Sequence, residues 1–168
     1  MASAQAGMAL RRIVTTTKSN QSVILIDDEI HPFPGFAANA ATIWKNHKYP
    51  AELVDSDPAK EGLEMYTQGS LIRVVDFPPN SQGHNHRTSS LDYGIVLDGE
   101  LELHLEDGSC TIVRPGDVVV QQATMHQWNN NTNKPIRVLF ILLPSEKPDV
   151  DGVEVGESGI PEKFRPET

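Results

Sequence analysis

The chain has a single cysteine, Cys110. One thiol rules out an internal disulfide and suits a reducing compartment. Positive charge is also scarce: 14 Lys and Arg stand against 23 Asp and Glu, a formal charge of −9. That balance argues against nucleic acid and anionic membrane surfaces as partners. No apolar run approaches the length of a membrane span. Residues 1–10 are only weakly apolar, and Arg11 and Arg12 follow that stretch rather than precede it, so it does not read as a secretory signal. The expectation is a cytoplasmic protein. The chain also lacks a GxGxxG dinucleotide loop and a phosphate loop, which sets aside nicotinamide redox and phosphoryl transfer.

What the chain does have is β pattern. Residues 12–17 and 22–26 are β-branched runs flanking Lys18-Ser19-Asn20-Gln21, a hairpin signature. Residues 41–44 predict a short strand, and residues 58–65 allow a short helix. Residues 71–77 alternate apolar side chains on both faces, as a strand covered on two sides does. Leu101, Leu103 and Leu105 face one way, with Glu102 and His104 on a wet face opposite, and Glu106-Asp107-Gly108-Ser109 turns the chain back. Residues 136–143 are a long hydrophobic strand. Short strands, turns rich in Gly, Pro and Asn, and no long helical period predict an all-β sandwich or barrel. At 168 residues this is one domain: residues 1–9 disordered, 10–143 the barrel, and 144–168 an extended or flexible acidic tail.

The chemistry concentrates between Gly83 and Trp128. His84 and His86, two apart, share a side of an extended strand that follows the Pro78-Pro79-Asn80 turn. Asp92 comes six residues after His86, and His126 follows beyond the turn at Arg114-Pro115-Gly116-Asp117. Two histidines at strand spacing, a carboxylate and a distant third histidine make a donor set that several divalent metals accept. Asp92 has two readings, metal ligand or turn-former bonding to backbone amides near Ser90. Trp128 shares the parity of His126 and so faces the same cavity. Gln122 does so too if its strand runs unbroken through Ala123. Arg87 is either a carboxylate clamp or a surface ion pair, and Arg73 sits in a covered strand from which it can reach a barrel mouth. His104 reads as solvated. Cys110 follows a turn with no base beside it in the chain.

This punctuation resembles that of a single-domain cupin: Gly83, His84, His86, Asp92 and Gly99, then Gly116, His126 and Asn130. Asp92 stands where Glu is usual, Gln121 and Ala123 replace the usual Pro and Gly, and Gly83 lies too close to His84 to be the first glycine of the pattern. The runs His86-Arg87-Thr88, Ser90-Leu91-Asp92-Tyr93-Gly94 and residues 116–121 are similar to small cupins of fungal biosynthetic clusters. Those are described as oxidoreductases, isomerases or lyases acting on polyketide-type intermediates. The resemblance implies a jelly-roll barrel and one divalent ion (Fe, Mn, Zn or Ni) held by His84, His86, Asp92 and His126. It also implies a small-molecule substrate and a homodimer paired through the N-terminal strands. Asp92 and Arg87 are then the candidate catalytic residues, with Trp128, Gln122 and Arg73 in the pocket. Three functions remain open: Lewis-acid isomerisation, dehydration or decarboxylation; Fe(II) dioxygenase or oxidoreductase chemistry; and non-catalytic binding of a small ligand.

Overall fold

The computed structural model describes residues 7–35, 38–61 and 68–161. The N-terminal hairpin consists of β1 (Leu10–Lys18) and β2 (Gln21–Ile30), joined by Ser19 and Asn20 in the left-handed region. There follow β3 (Phe33–Pro34), β4 (Asn39–Asn46), β5 (Ser70–Phe77), β6 (Ser81–Gln82), β7 (Ser90–Val96), β8 (Leu101–Leu105) and β9 (Cys110–Val113). After these come β10 (Val118–Gln122), β11 (His126–Asn130), β12 (Ile136–Pro144), β13 (Asp149–Val150) and β14 (Val153–Glu154). The short helix shrinks to one 3-10 turn, Pro58–Lys60, capped by Glu61, and residues 62–65 of that expected segment, like residues 1–6 and 162–168 of the tails, lie outside the described residues.

Two sheets make the barrel. A six-stranded sheet runs β10-β7-β12-β5-β4-β3, and a four-stranded sheet runs β6-β11-β8-β9. Their facing side chains, among them Leu71, Val96, Leu101, Leu103, Trp128, Val138 and Phe140, form one core. Alternation dictates this. In β12, Val138, Phe140 and Leu142 are buried in the core at period two, while Arg137 turns to the other face and binds Asp76 of β5 through two nitrogens, at 2.6 and 2.7 Å. The fold is the all-β jelly-roll the sequence predicts, and β5 is buried on both faces, with Val74 fully enclosed.

One local expectation needs correction. The His84–His86 stretch is not a strand of a sheet. It is an extended connection in which only His86 pairs, by an isolated bridge to His126. Through residue 160 the acidic tail takes the extended of its two expected forms. It forms the β13–β14 hairpin, then Ser158 pairs with Arg87 and Ile160 is buried.

Candidate functional site

A cavity of about 130 Å³ opens inside the barrel. Its apolar wall includes Val75, Phe77, Phe140 and Leu142, and its polar groups come from five places in the chain. β5 contributes Arg73, β7 contributes Asp92, β10 contributes Gln121, and the connection after β6 contributes His84 and His86 opposite His126 of β11. Registers explain the grouping. Asp92 is the direct partner of Gln121 on one side and Leu142 on the other, and Phe140 lies between Gly94 and Arg73. Gly83 carries the chain into the site with its amide on the Trp128 carbonyl at 3.0 Å. A β-carbon there would stand 2.2 Å from that carbonyl oxygen, so only glycine allows the approach that brings His84 and His86 to β11.

The histidine tautomers follow from their partners. His126 Nδ1 donates to the Thr124 carbonyl at 2.9 Å, and His86 Nδ1 donates to the His84 carbonyl at 3.0 Å. Each ring is left with a lone pair on Nε2, and the two ring centroids are 4.5 Å apart. Burial pushes the His86 pKa down. It pushes that of His126 down to about 4, helped by the nearby His86. Both imidazoles are therefore neutral near pH 7, the form that binds a cation. The His84 ring instead donates through Nε2 to the Gly159 carbonyl, a contact supplied by the C-terminal segment.

Asp92 is buried, and burial raises its pKa against the opposing pull of Ser90, Gln121, Arg73 and Thr88. Its Oδ2 accepts from Gln121 Nε2 at 3.3 Å, while its Oδ1 has no hydrogen-bond partner among the described residues. Gln121 is the residue that sequence reading missed. Its Oε1 accepts the Trp128 indole N–H at 3.0 Å, which turns the amide nitrogen toward both Asp92 and, at 3.4 Å, His126 Nε2. Arg73 is half-buried at the cavity with its Nε enclosed, and desolvation drags its pKa down to about 10 although Asp92 opposes this. It remains a cation at neutral pH.

Of the expected site residues, the structure brings His84, His86, Asp92, His126, Trp128 and Arg73 to one cavity. It does not bring Gln122 or Arg87. Gln122 is exposed because Ala123 adopts φ +49° and breaks the alternation between β10 and β11, so the inward residue is its neighbour Gln121. Arg87 points away from the cavity and pairs with Glu106 at 3.2 Å. The imidazole donors suit a divalent first-row ion. In this arrangement, however, no three of the four expected ligands bring their donor atoms within 4.8 Å of one another.

The jelly-roll barrel with its histidine-lined cavity defines a class, and comparison with known proteins places the chain within it. The Cupin domain profile matches residues 73–142. The chain is 40% identical over 132 residues to the cupin-domain-containing oxidoreductase virC of Hypocrea virens, covering 71% of this chain and 68% of that protein. It is 35% identical over 158 residues to the cupin-domain-containing oxidoreductase srdD of Neurospora crassa, covering 87% and 81%. With phomopsin biosynthesis cluster protein C' of Diaporthe leptostromiformis it shares 42% identity over 89 residues, so the match spans 52% of this chain and about half, 47%, of that relative. The chain belongs to the cupin family, whose members typically bind a metal. No helix among the described residues is long and apolar enough to cross a membrane.

Proposed function

We propose that this cupin is a biosynthetic enzyme that moves a proton on a small keto, enol or hydroxy metabolite, leading to isomerisation, dehydration or decarboxylation. The observation that carries this reading is Asp92 Oδ1, a buried carboxyl oxygen without a hydrogen-bond partner among the described residues, in the cavity that also holds Arg73. A carboxyl raised by burial exchanges protons near neutral pH more readily than an exposed one. Asp92 takes or returns a proton through Oδ1 while Gln121 fixes Oδ2. The permanent charge of Arg73 stabilises the oxygen on which negative charge develops. Phe77, Phe140 and Leu142 keep water away, which strengthens both effects.

His84, His86 and His126 are the residues that would hold a divalent ion, His84 on leaving Gly159. Bound there, such an ion would supply Lewis-acid polarisation of a carbonyl oxygen. Asp92 is assigned to the proton rather than to the ion because the Gln121 amide stands between it and His126.

A second reading, an oxidoreductase using Fe(II) and O2, is favoured by the names of the relatives virC and srdD. One experiment separates the two. Metal-loaded protein is incubated anaerobically with a panel of β-keto acids and enols in deuterated water, and deuterium incorporation beside the carbonyl is followed. Incorporation that Asp92→Asn abolishes supports proton transfer. Turnover only with iron and oxygen, with no exchange, would overturn it in favour of the oxidoreductase.

A further inference from the structure

On the outer face of the four-stranded sheet, away from the cavity, three donors of different chemistry meet. Glu102 Oε2 lies 2.9 Å from His104 Nε2, and Cys110 Sγ lies 3.5 Å from the same nitrogen. The three ligand atoms are all within 4.8 Å of one another, the tightest such grouping of His, Cys, Asp and Glu donors among the described residues. The histidine expected to be solvated is half-buried here, and the cysteine without a neighbouring base in the chain has one across the hairpin. We propose that Glu102, His104 and Cys110 form a cation site for zinc, distinct from the histidines of the barrel.

The backbone preforms it. Glu102 and His104 are two apart on β8 and so share a face, and Cys110 is the direct cross-strand partner of His104 on β9. The turn that sets this register is held by Leu105 N–H to the Ser109 carbonyl at 3.0 Å, Gly108 N–H to the Leu105 carbonyl at 3.2 Å and Ser109 N–H to Asp107 Oδ1 at 2.9 Å. All three ligands therefore ride on one rigid hairpin.

A nucleophile reading fails on geometry. A relay needs the acid on one ring nitrogen and the thiol on the other. Here both converge on Nε2, where a single proton can serve only one of them. A dication serves all three. Thiolate, imidazole and carboxylate together select zinc: magnesium and calcium would decline the sulfur, and copper(I) would gain nothing from the carboxylate. Three protein ligands leave a fourth tetrahedral position for water. The net charge of −9 raises the local cation concentration. β9 is the outer strand of its sheet, so the ion would clamp an edge that is otherwise held from one side only.

The test uses the full chain, stripped of metal and kept reduced. Cobalt(II) is titrated in as a spectroscopic stand-in for zinc, and the thiolate-to-cobalt charge-transfer absorption is read. The expected result is a saturable band, absent in Cys110→Ser, weakened by roughly tenfold or more in affinity in His104→Gln and Glu102→Gln, and retained in His126→Ala. Zinc should abolish the band and slow alkylation of Cys110. No thiolate band, equal cobalt affinity in wild type and His104→Gln, or loss of the band in His126→Ala would each overturn the proposal. Unprotected alkylation of Cys110 in wild type at saturating zinc would overturn it without recourse to any variant.

Discussion

At the scale of single residues the cavity is governed by who satisfies whom. Gln121 holds Asp92 on one side and takes the Trp128 N–H on the other, so the carboxyl keeps one oxygen bare. Asp92→Asn preserves this packing and removes the ionisable proton. Proton exchange is expected to be lost while metal affinity, measured by titration into the apo protein, stays within about twofold of wild type, since removing a side chain that binds the ion directly would weaken it far more. A large loss of metal affinity would instead make Asp92 a ligand. His126 gives a pH prediction. Its pKa falls from an ordinary 6.5 to about 4 on folding, so between these values the unfolded chain binds the proton and the folded chain does not. The metal-free protein should therefore lose stability as pH drops from 6.5 to 4, by on the order of 3 kcal/mol. Urea denaturation at stepped pH reads this, and His126→Gln should flatten the slope across that window. The three histidines and Asp92, which line one cavity, were singled out by spacing together with the cupin resemblance. Gln121 was not, because the left-handed turn at Ala123 reverses which of two adjacent glutamines points inward, and a non-glycine residue at positive φ leaves no mark in the sequence.

At the scale of elements, the β1–β2 hairpin was read correctly because β-branched runs around a polar turn have few other solutions. What docks it could not be read. Arg12 is buried, with its guanidinium forked onto Asp28 of β2 at 2.7 and 3.0 Å, onto Asp57 beyond β4 at 2.7 and 2.9 Å, and donating to the Ile43 carbonyl at 3.1 Å. Such a long-range charge pairing carries no local periodicity. Removing the cation leaves the largely enclosed Asp57 with only the exposed Lys60 at 3.6 Å and the Ala59 N–H at 3.2 Å as partners. Arg12→Met is expected to cost on the order of 3 kcal/mol, discounted for the partial exposure of Asp28. The hairpin should become the first proteolytic target, visible as an early cleavage between β2 and β4. A variant with wild-type Tm and an intact hairpin would deny Arg12 this role. The His84 segment illustrates the converse. Period two made it look like a strand, yet its one ladder contact is the His86 bridge, because Gly83 and the Ser158–Ile160 stretch hold it where a regular sheet would not.

At the scale of the whole molecule, an all-β chain closes most of its edges in the barrel, but the β1–β2 hairpin forms a two-stranded sheet of its own. One face of it, carrying Arg12, Val14, Ile26 and Asp28, lies toward the barrel; the bulge between Val14 and Thr15 then pairs Thr15 with Ile24 on the opposite face. Ile13 shares that outer face. Ile13 and Ile24 are 53% and 61% exposed, which is unusual for large β-branched residues in an ordered strand. An apolar outer face beside unpaired strand edges is a hazard in a free monomer and an asset in a symmetric pair. We propose that two copies of this chain meet through the hairpin, by edge pairing or by the isoleucine face. Sedimentation at micromolar concentration should return a dimer mass. Ile13→Lys combined with Ile24→Lys places like charges on both copies of the surface, so it should return a monomer while the far-ultraviolet β signature and the stability of the barrel stay near wild type, because neither side chain contributes to the core. A wild-type monomer, or a dimer that survives both lysines, would remove the hairpin from the interface.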